Sequence, residues 1–128
     1  MNQNVLTIQI NKPVKEVFTF TITPPNSTQW IPGITIEETN DKKIAPGTIY
    51  TLGNDNTTSS IIVSDIKENE FVEWVTEDGK YHCRYSFGMV DQNTTNLTYY
   101  EWVGEGDLKS PFTQDVLEKL KSALENSG

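Results

Sequence analysis

An α+β fold, one antiparallel sheet backed by a C-terminal helix, follows from three observations. Strand-like runs succeed one another through the middle of the chain with only short connections. The last segment, SPFTQDVLEKLKSALENSG, carries the clearest helical stripe. The length of 128 residues suits one domain, residues 1–128, large enough to bury a core without disulfide staples.

The first run, VLTIQI, sets Leu6, Ile8 and Ile10 on one face at strand period. NKP then offers a helix start, with Asn11 or Lys12 ahead of Pro13. VKEVFTFTIT fits two patterns. Val14, Val17, Phe18 and Ile22 make a helical stripe, whereas Phe18, Phe20 and Ile22 alternate as in a strand. The proline start and the Pro24-Pro25 stop favour a short helix. NSTQWIPG reads as a second, very short helix or turn that displays Trp30.

The runs ITIEET, TIYTLG, SSIIVSDI, FVEWVTE, KYHCRYSFGMV and NLTYYEWVG follow, each bounded by Gly, Asn, Asp or Lys-Glu clusters. In the last segment Ser110 can cap a helix and Pro111 suits its first turn. Phe112, Val116, Leu120 and Leu124 line one stripe, with Leu117 and Ala123 beside it, while Glu118, Lys119, Lys121 and Glu125 face away. That stripe needs a partner surface, and the sheet is the only large one available.

Composition removes several classes of function. A net charge of −8 repels phosphate backbones and anionic lipid, so nucleic acid is set aside as a partner. No apolar run approaches the roughly 20 residues that span a bilayer. MNQNVLTIQI has no basic region leading an apolar segment, which argues against a signal peptide. A lone cysteine permits no internal disulfide and fits a reducing cytoplasm. The Asn-X-Ser/Thr matches at Asn26, Asn56, Asn93 and Asn96 read as chance in a chain rich in Asn and Thr.

Asp78-Gly79 is the strongest turn signal, read as a two-residue type I′ turn. That register puts Val75 opposite His82, Trp74 opposite Cys83, Glu73 opposite Arg84 and Val72 opposite Tyr85. One face then carries Val72, Trp74, Tyr81, Cys83, Tyr85 and Phe87. The other carries Glu73, Glu77, Lys80, His82, Arg84 and Ser86, with Phe71 and Val75 as apolar exceptions. For the next hairpin, a four-residue loop DQNT pairs Cys83 with Trp102, Arg84 with Glu101 and Tyr85 with Tyr100. This extends a polar ladder Glu73–Arg84–Glu101 and is preferred for its charge match. A loop one residue shorter or longer would turn Tyr99 and Glu101 inward instead.

The expected inner face therefore has an aromatic belt: Trp74, Tyr81, Tyr85, Phe87, Tyr100 and Trp102. Such a belt is either a core packed by the C-terminal helix or the wall of a pocket. Tyr and Trp carry hydroxyl and indole groups that need partners when buried, and this suits a mostly apolar ligand site with a few orienting donors. Trp30, ahead of IPG at the expected mouth, gates a ligand or seals the end of the core.

The order of elements, with INKPVKEVFTF, WIPGITIEE, APGTIYTL, the Asp-Gly hairpin and TTNLTYYEW, resembles the START-like superfamily with its helix-grip fold. The likeness is to small bacterial polyketide cyclase/dehydratase-like and Hsp90-activator-homology-like proteins. It implies a curved antiparallel sheet wrapped around the C-terminal helix, two short helices after strand 1, and a cavity for hydrophobic or amphipathic small molecules. It transfers no catalytic motif, since fold does not fix function.

His82 and Cys83 are the only residues of their kinds. As strand neighbours they point to opposite faces and cannot share a metal ion, so no metal site and no cofactor are expected. Cys83 lacks a base on its own face and reads as structural. His82 reads as an outer-face residue. No catalytic residue is assigned; Tyr81, Tyr85, Tyr100 and, in the other register, Glu101 are candidate acids or bases, with Asp65 and Glu38 weaker. The expected function is binding of a hydrophobic or aromatic small molecule between sheet and C-terminal helix. Trp30, Trp74, Tyr81, Cys83, Tyr85, Phe87, Tyr100 and Trp102 would form the site. The alternatives are a cyclase/dehydratase-like enzyme and a chaperone-cofactor-like interaction module.

Overall fold

A computed structural model describes residues 2–126. The elements are β1 (Gln3–Ile10), α1 (Val14–Ile22), a 3-10 turn (Asn26–Gln29), β2 (Ile36–Thr39), β3 (Ile49–Gly53), β4 (Thr58–Lys67), β5 (Phe71–Thr76), β6 (Tyr81–Asp91), β7 (Thr94–Val103) and α2 (Gln114–Glu125). The strands form one seven-stranded antiparallel sheet in the order β1-β7-β6-β5-β4-β3-β2. This is the α+β, helix-grip arrangement expected from the sequence.

Local chemistry explains the elements. On β1 the inward positions alternate as predicted, ending in buried Ile8 and Ile10. The ambiguous segment is helical: α1 buries Val17, Phe18 and Thr21 and stops before Pro24. Helix α2 buries Val116, Leu117, Leu120 and Leu124. It packs against β1 and the 3-10 turn. Three polar ties fix it along β1: Gln114 Nε2 donates to Thr7 O, Lys121 Nζ to Gln9 O, and the Asn11 amide to Glu125. The helix begins at Gln114 rather than at Pro111, so Phe112 lies in the lead-in and is freed to point elsewhere.

The β5–β6 register is as predicted, with Trp74 opposite Cys83 and Glu73 opposite Arg84. Arg84 Nη1 reaches Glu73 Oε1 at 3.1 Å, and its guanidinium lies over the Phe71 ring. The turn itself differs. A type I′ turn needs positive φ at both central residues, but only Gly79 takes it (φ 74°). The Gly79 amide donates to Thr76 O, and the Asp78 carboxylate accepts from Thr76 Oγ1 and the Lys80 amide.

The β6–β7 register corrects the preferred expectation. At the turn Asp91 pairs with Thr94, in the predicted phase, but a bulge between Met89 and Asp91 shifts everything beyond it by one residue. Cys83 therefore faces Glu101, Arg84 faces Tyr100, Tyr85 faces Tyr99 and His82 faces Trp102. The ladder Glu73–Arg84–Glu101 does not form. Tyr99 and Glu101 turn inward, 1% exposed each, while Tyr100 and Trp102 lie on the outer face.

Candidate functional site

Burying the inner face leaves a partly open pocket of about 230 Å³ against the aromatic belt. Its floor comes from β3 to β7, including Tyr50, Trp74, Tyr81, Cys83, Tyr85 and Tyr99. Its cover comes from Thr21 of α1, Ser27 of the 3-10 turn, the connection at Ile31 and Ile34, and Phe112. No residue of α2 lines it. The space thus lies beside the C-terminal helix, beneath the 3-10 turn and its connection, and not between sheet and helix as expected. A wider cleft of about 740 Å³ opens on the surface between the end of α1 and the residues around Asp41–Ile44, away from the belt.

The rings interlock edge to face. Trp74 makes T-shaped contacts with Tyr50 at 5.4 Å and with Tyr85 at 5.5 Å between centroids. Phe112 stacks on Tyr99 at 4.3 Å. Trp30, 2% exposed, packs against Tyr85 and Phe112 and closes that end of the core. Each such pair adds about 0.5–1.5 kcal/mol beyond area burial, so the walls hold their places without a ligand.

Polar groups enter this aromatic shell at two buried glutamates. Glu37 accepts from the Ser27 amide at 3.1 Å and from Ser27 Oγ at 2.6 Å. Burial pushes its carboxyl above the usual range, and the two Ser27 bonds offset part of that. Glu101 accepts from Tyr81 Oη at 2.7 Å, Asn4 Nδ2 at 2.9 Å and the Phe112 amide at 2.7 Å. Its bonds join edge strand β1 to the lead-in of α2. The Tyr81 and Tyr99 hydroxyls are 3.1 Å apart, which extends the network to the cavity wall. Tyr50 Oη donates to Ile22 O.

Two cavity residues remain short of partners. Among the described residues the Tyr85 hydroxyl has no hydrogen-bond partner, although Tyr85 is 6% exposed. Trp74 Nε1 is buried and unpartnered, as is Trp30 Nε1. Burial also pushes the Cys83 thiol up to about 12, with the charges of Glu101 and Glu73 adding to it. The Tyr81, Tyr85 and Tyr99 hydroxyls are raised by the same desolvation. The thiol and these hydroxyls are therefore neutral groups of the wall, and Glu37 is its one carboxyl.

Of the predicted site residues, Trp74, Tyr81, Cys83 and Tyr85 line the cavity. Trp30 backs it. Phe87 packs edge-on against Phe18 in the core at 5.5 Å and does not line the space. Tyr100 and Trp102 are corrected to the opposite face, where Trp102 stacks on His82 at 4.8 Å. Asp65 and Glu38 are exposed. Sequence reasoning missed Glu37, Tyr50 and Phe112 and placed Tyr99 and Glu101 in the alternative register. Glu37 is the immediate neighbour of the candidate Glu38, one step along a strand whose facing the pattern leaves open. Among the described residues no group of three His, Cys, Asp or Glu is placed to hold a metal ion, and no helix is long and apolar enough to cross a membrane.

With this geometry in view, solved structures supply the comparison. A protein from Mesorhizobium loti superposes with a TM-score of 0.76 at 13% identity, over 98% of each chain. The Aha1 protein from Colwellia psychrerythraea, solved as a dimer in solution, superposes with a TM-score of 0.72 at 15% identity over 100% of both chains. A conserved protein of unknown function from Enterococcus faecalis gives 0.75 at 15% identity, over 97% of this chain and 71% of that one. At such identities the likeness is one of fold. No protein-family model matches the chain, and no curated protein matches it.

Proposed function

We propose that this chain is a START-like protein that binds a hydrophobic or aromatic small molecule in the cavity beneath the 3-10 turn. The observation that carries this reading is a partly open pocket of about 230 Å³ walled by Tyr50, Trp74, Tyr85, Tyr99 and Phe112, with the Tyr85 hydroxyl unpartnered among the described residues. An empty space of this size leaves its lining short of dispersion contacts. A ligand regains them by burying apolar surface at about 25 cal/mol per Å². Mutually braced rings keep the space preformed, which lowers the ordering cost of binding.

Thermal denaturation with a panel of one- and two-ring aromatic compounds tests it. A true ligand at 100 times its Kd adds about 2.7 kcal/mol of stability, a rise of several degrees. If no compound of this size shifts the transition, the reading fails.

A second reading, a proton-transfer enzyme of the cyclase/dehydratase kind, rests on the 2.7 Å contact between Tyr81 Oη and Glu101 at the cavity wall. The chain Glu101–Tyr81–Tyr99 could move a proton to a bound substrate. Turnover that survives Tyr81→Phe would remove that chain from the mechanism.

A further inference from the structure

The charge inventory of the cavity is one-sided. Its lining contains no Lys, Arg or His, whereas Glu37 forms part of the wall, 8% exposed. Tyr81, also in the wall, donates to a second buried glutamate, Glu101. An anionic ligand would enter a low-dielectric space beside a carboxyl group with no cation to meet it, and both desolvation and repulsion oppose that. A cation meets the opposite conditions. Aromatic faces attract it, and a carboxylate pairs with it.

Hydrogen-bond capacity agrees. Each Glu37 oxygen accepts one bond from Ser27 and keeps a second lone pair. The Tyr85 hydroxyl is free to accept a further N–H. The unpartnered Trp74 Nε1 is sealed within the wall, so Trp74 offers its ring and not its N–H. Size sets the rest of the ligand. A cavity of 150 Å³ is enough to take benzene, so about 230 Å³ takes one or two rings with a short side chain.

Resting on the cavity reading above, we infer that the ligand is a one- or two-ring arylalkylamine, protonated at neutral pH, with its nitrogen against Glu37 and Tyr85, and that aryl-substituted carboxylic acids are excluded. Burial raises the Glu37 carboxyl, and a bound ammonium supplies the counter-charge that Ser27 alone does not.

Isothermal titration of the full chain near neutral pH with three compounds of matched size tests this: phenethylamine, 2-phenylethanol and phenylacetate. The amine should bind at least about tenfold more tightly than the alcohol, the gain of one charge-assisted hydrogen bond, and the acid should not bind detectably. Glu37→Gln, with its fold checked by circular dichroism, should bring the amine within about threefold of the alcohol and leave the alcohol unchanged. Tyr85→Phe should weaken the amine alone. An acid that binds as well as the alcohol, or an amine no tighter than the alcohol, overturns the inference while leaving the cavity as a binding site. If Glu37→Gln keeps the amine's advantage, the inference also falls. Absence of binding by all three, and by indole, overturns the cavity reading itself.

Discussion

Cys83 stands directly across the β6–β7 ladder from Glu101, so a thiol and a carboxyl share the inner face of the sheet. The carboxyl survives there because three donors converge on it from three directions: Tyr81 on β6, Asn4 on β1 and the Phe112 amide ahead of α2. It is a structural clasp between both ends of the chain as well as a neighbour of the cavity.

Removing that clasp has a predictable cost. Glu101→Ala removes the shared acceptor of three part-buried donors, two of which keep a second partner, so a loss of about 2–3 kcal/mol is expected in urea denaturation. Glu101→Gln keeps a carbonyl oxygen for Asn4 and Phe112 and should lose only about 1 kcal/mol. A loss under about 1 kcal/mol for the alanine variant would show that the network does not support the fold.

Two tyrosines of the wall should respond differently to losing a hydroxyl. Tyr81 Oη bonds Glu101 and meets Tyr99, so Tyr81→Phe should destabilise by about 1–2 kcal/mol. Tyr85 Oη has no partner among the described residues, so Tyr85→Phe should stay within about 0.5 kcal/mol of the parent or gain slightly. Denaturation curves of the two variants side by side decide it. Equal losses would mean that Tyr85 has a partner in solution.

Much of this was legible in the sequence, and the failures have one cause. Binary patterning and turn residues located every strand, and Asp78-Gly79 gave the β5–β6 register even though the turn type was different. Facing on β7 then depended on a single residue, the bulge between Met89 and Asp91, which no local pattern announces. The charge match of Arg84 with Glu101 argued for the wrong phase. Exposed pairs of that kind are worth too little to overrule the burial of Leu97 and Tyr99. Phe112 was missed as a cavity residue because its spacing fitted the α2 stripe. Glu37 was missed because a buried glutamate breaks the rule by which faces are read.

Cys83 should be silent toward thiol reagents in the native protein. The thiolate is the reactive form, and burial, followed by the charges of Glu101 and Glu73, pushes the thiol up to about 12. Labelling by a maleimide at pH 8 should be slow in the folded chain and complete in denaturant. The same shift makes stability fall at high pH. The folded pKa is raised, so the contribution of Cys83 is intact below the ordinary value of 9.0 and is lost as pH climbs toward about 12. Rapid native labelling at pH 8 would show that the inner face opens far more readily than its packing implies.

Glu37 supplies the matching prediction at low pH, with the same sign. Its carboxyl is raised above the ordinary 4.5, chiefly by burial, so the folded state holds the proton more tightly than the unfolded chain. The stability it contributes is complete below 4.5 and is lost as pH rises through the folded value. Glu37→Gln removes the titrating group while keeping an oxygen for Ser27. Melting temperatures of parent and variant, measured from pH 4 to 8, should therefore diverge. The variant gains on the parent as pH rises, because only the parent must ionise a buried carboxyl. A bound arylalkylamine should reverse that order in the parent, since its ammonium stabilises the ionised form. Parallel curves without ligand would mean that Glu37 reaches solvent as freely in the folded chain as in the unfolded one, and the carboxyl would no longer count as a buried wall of the cavity.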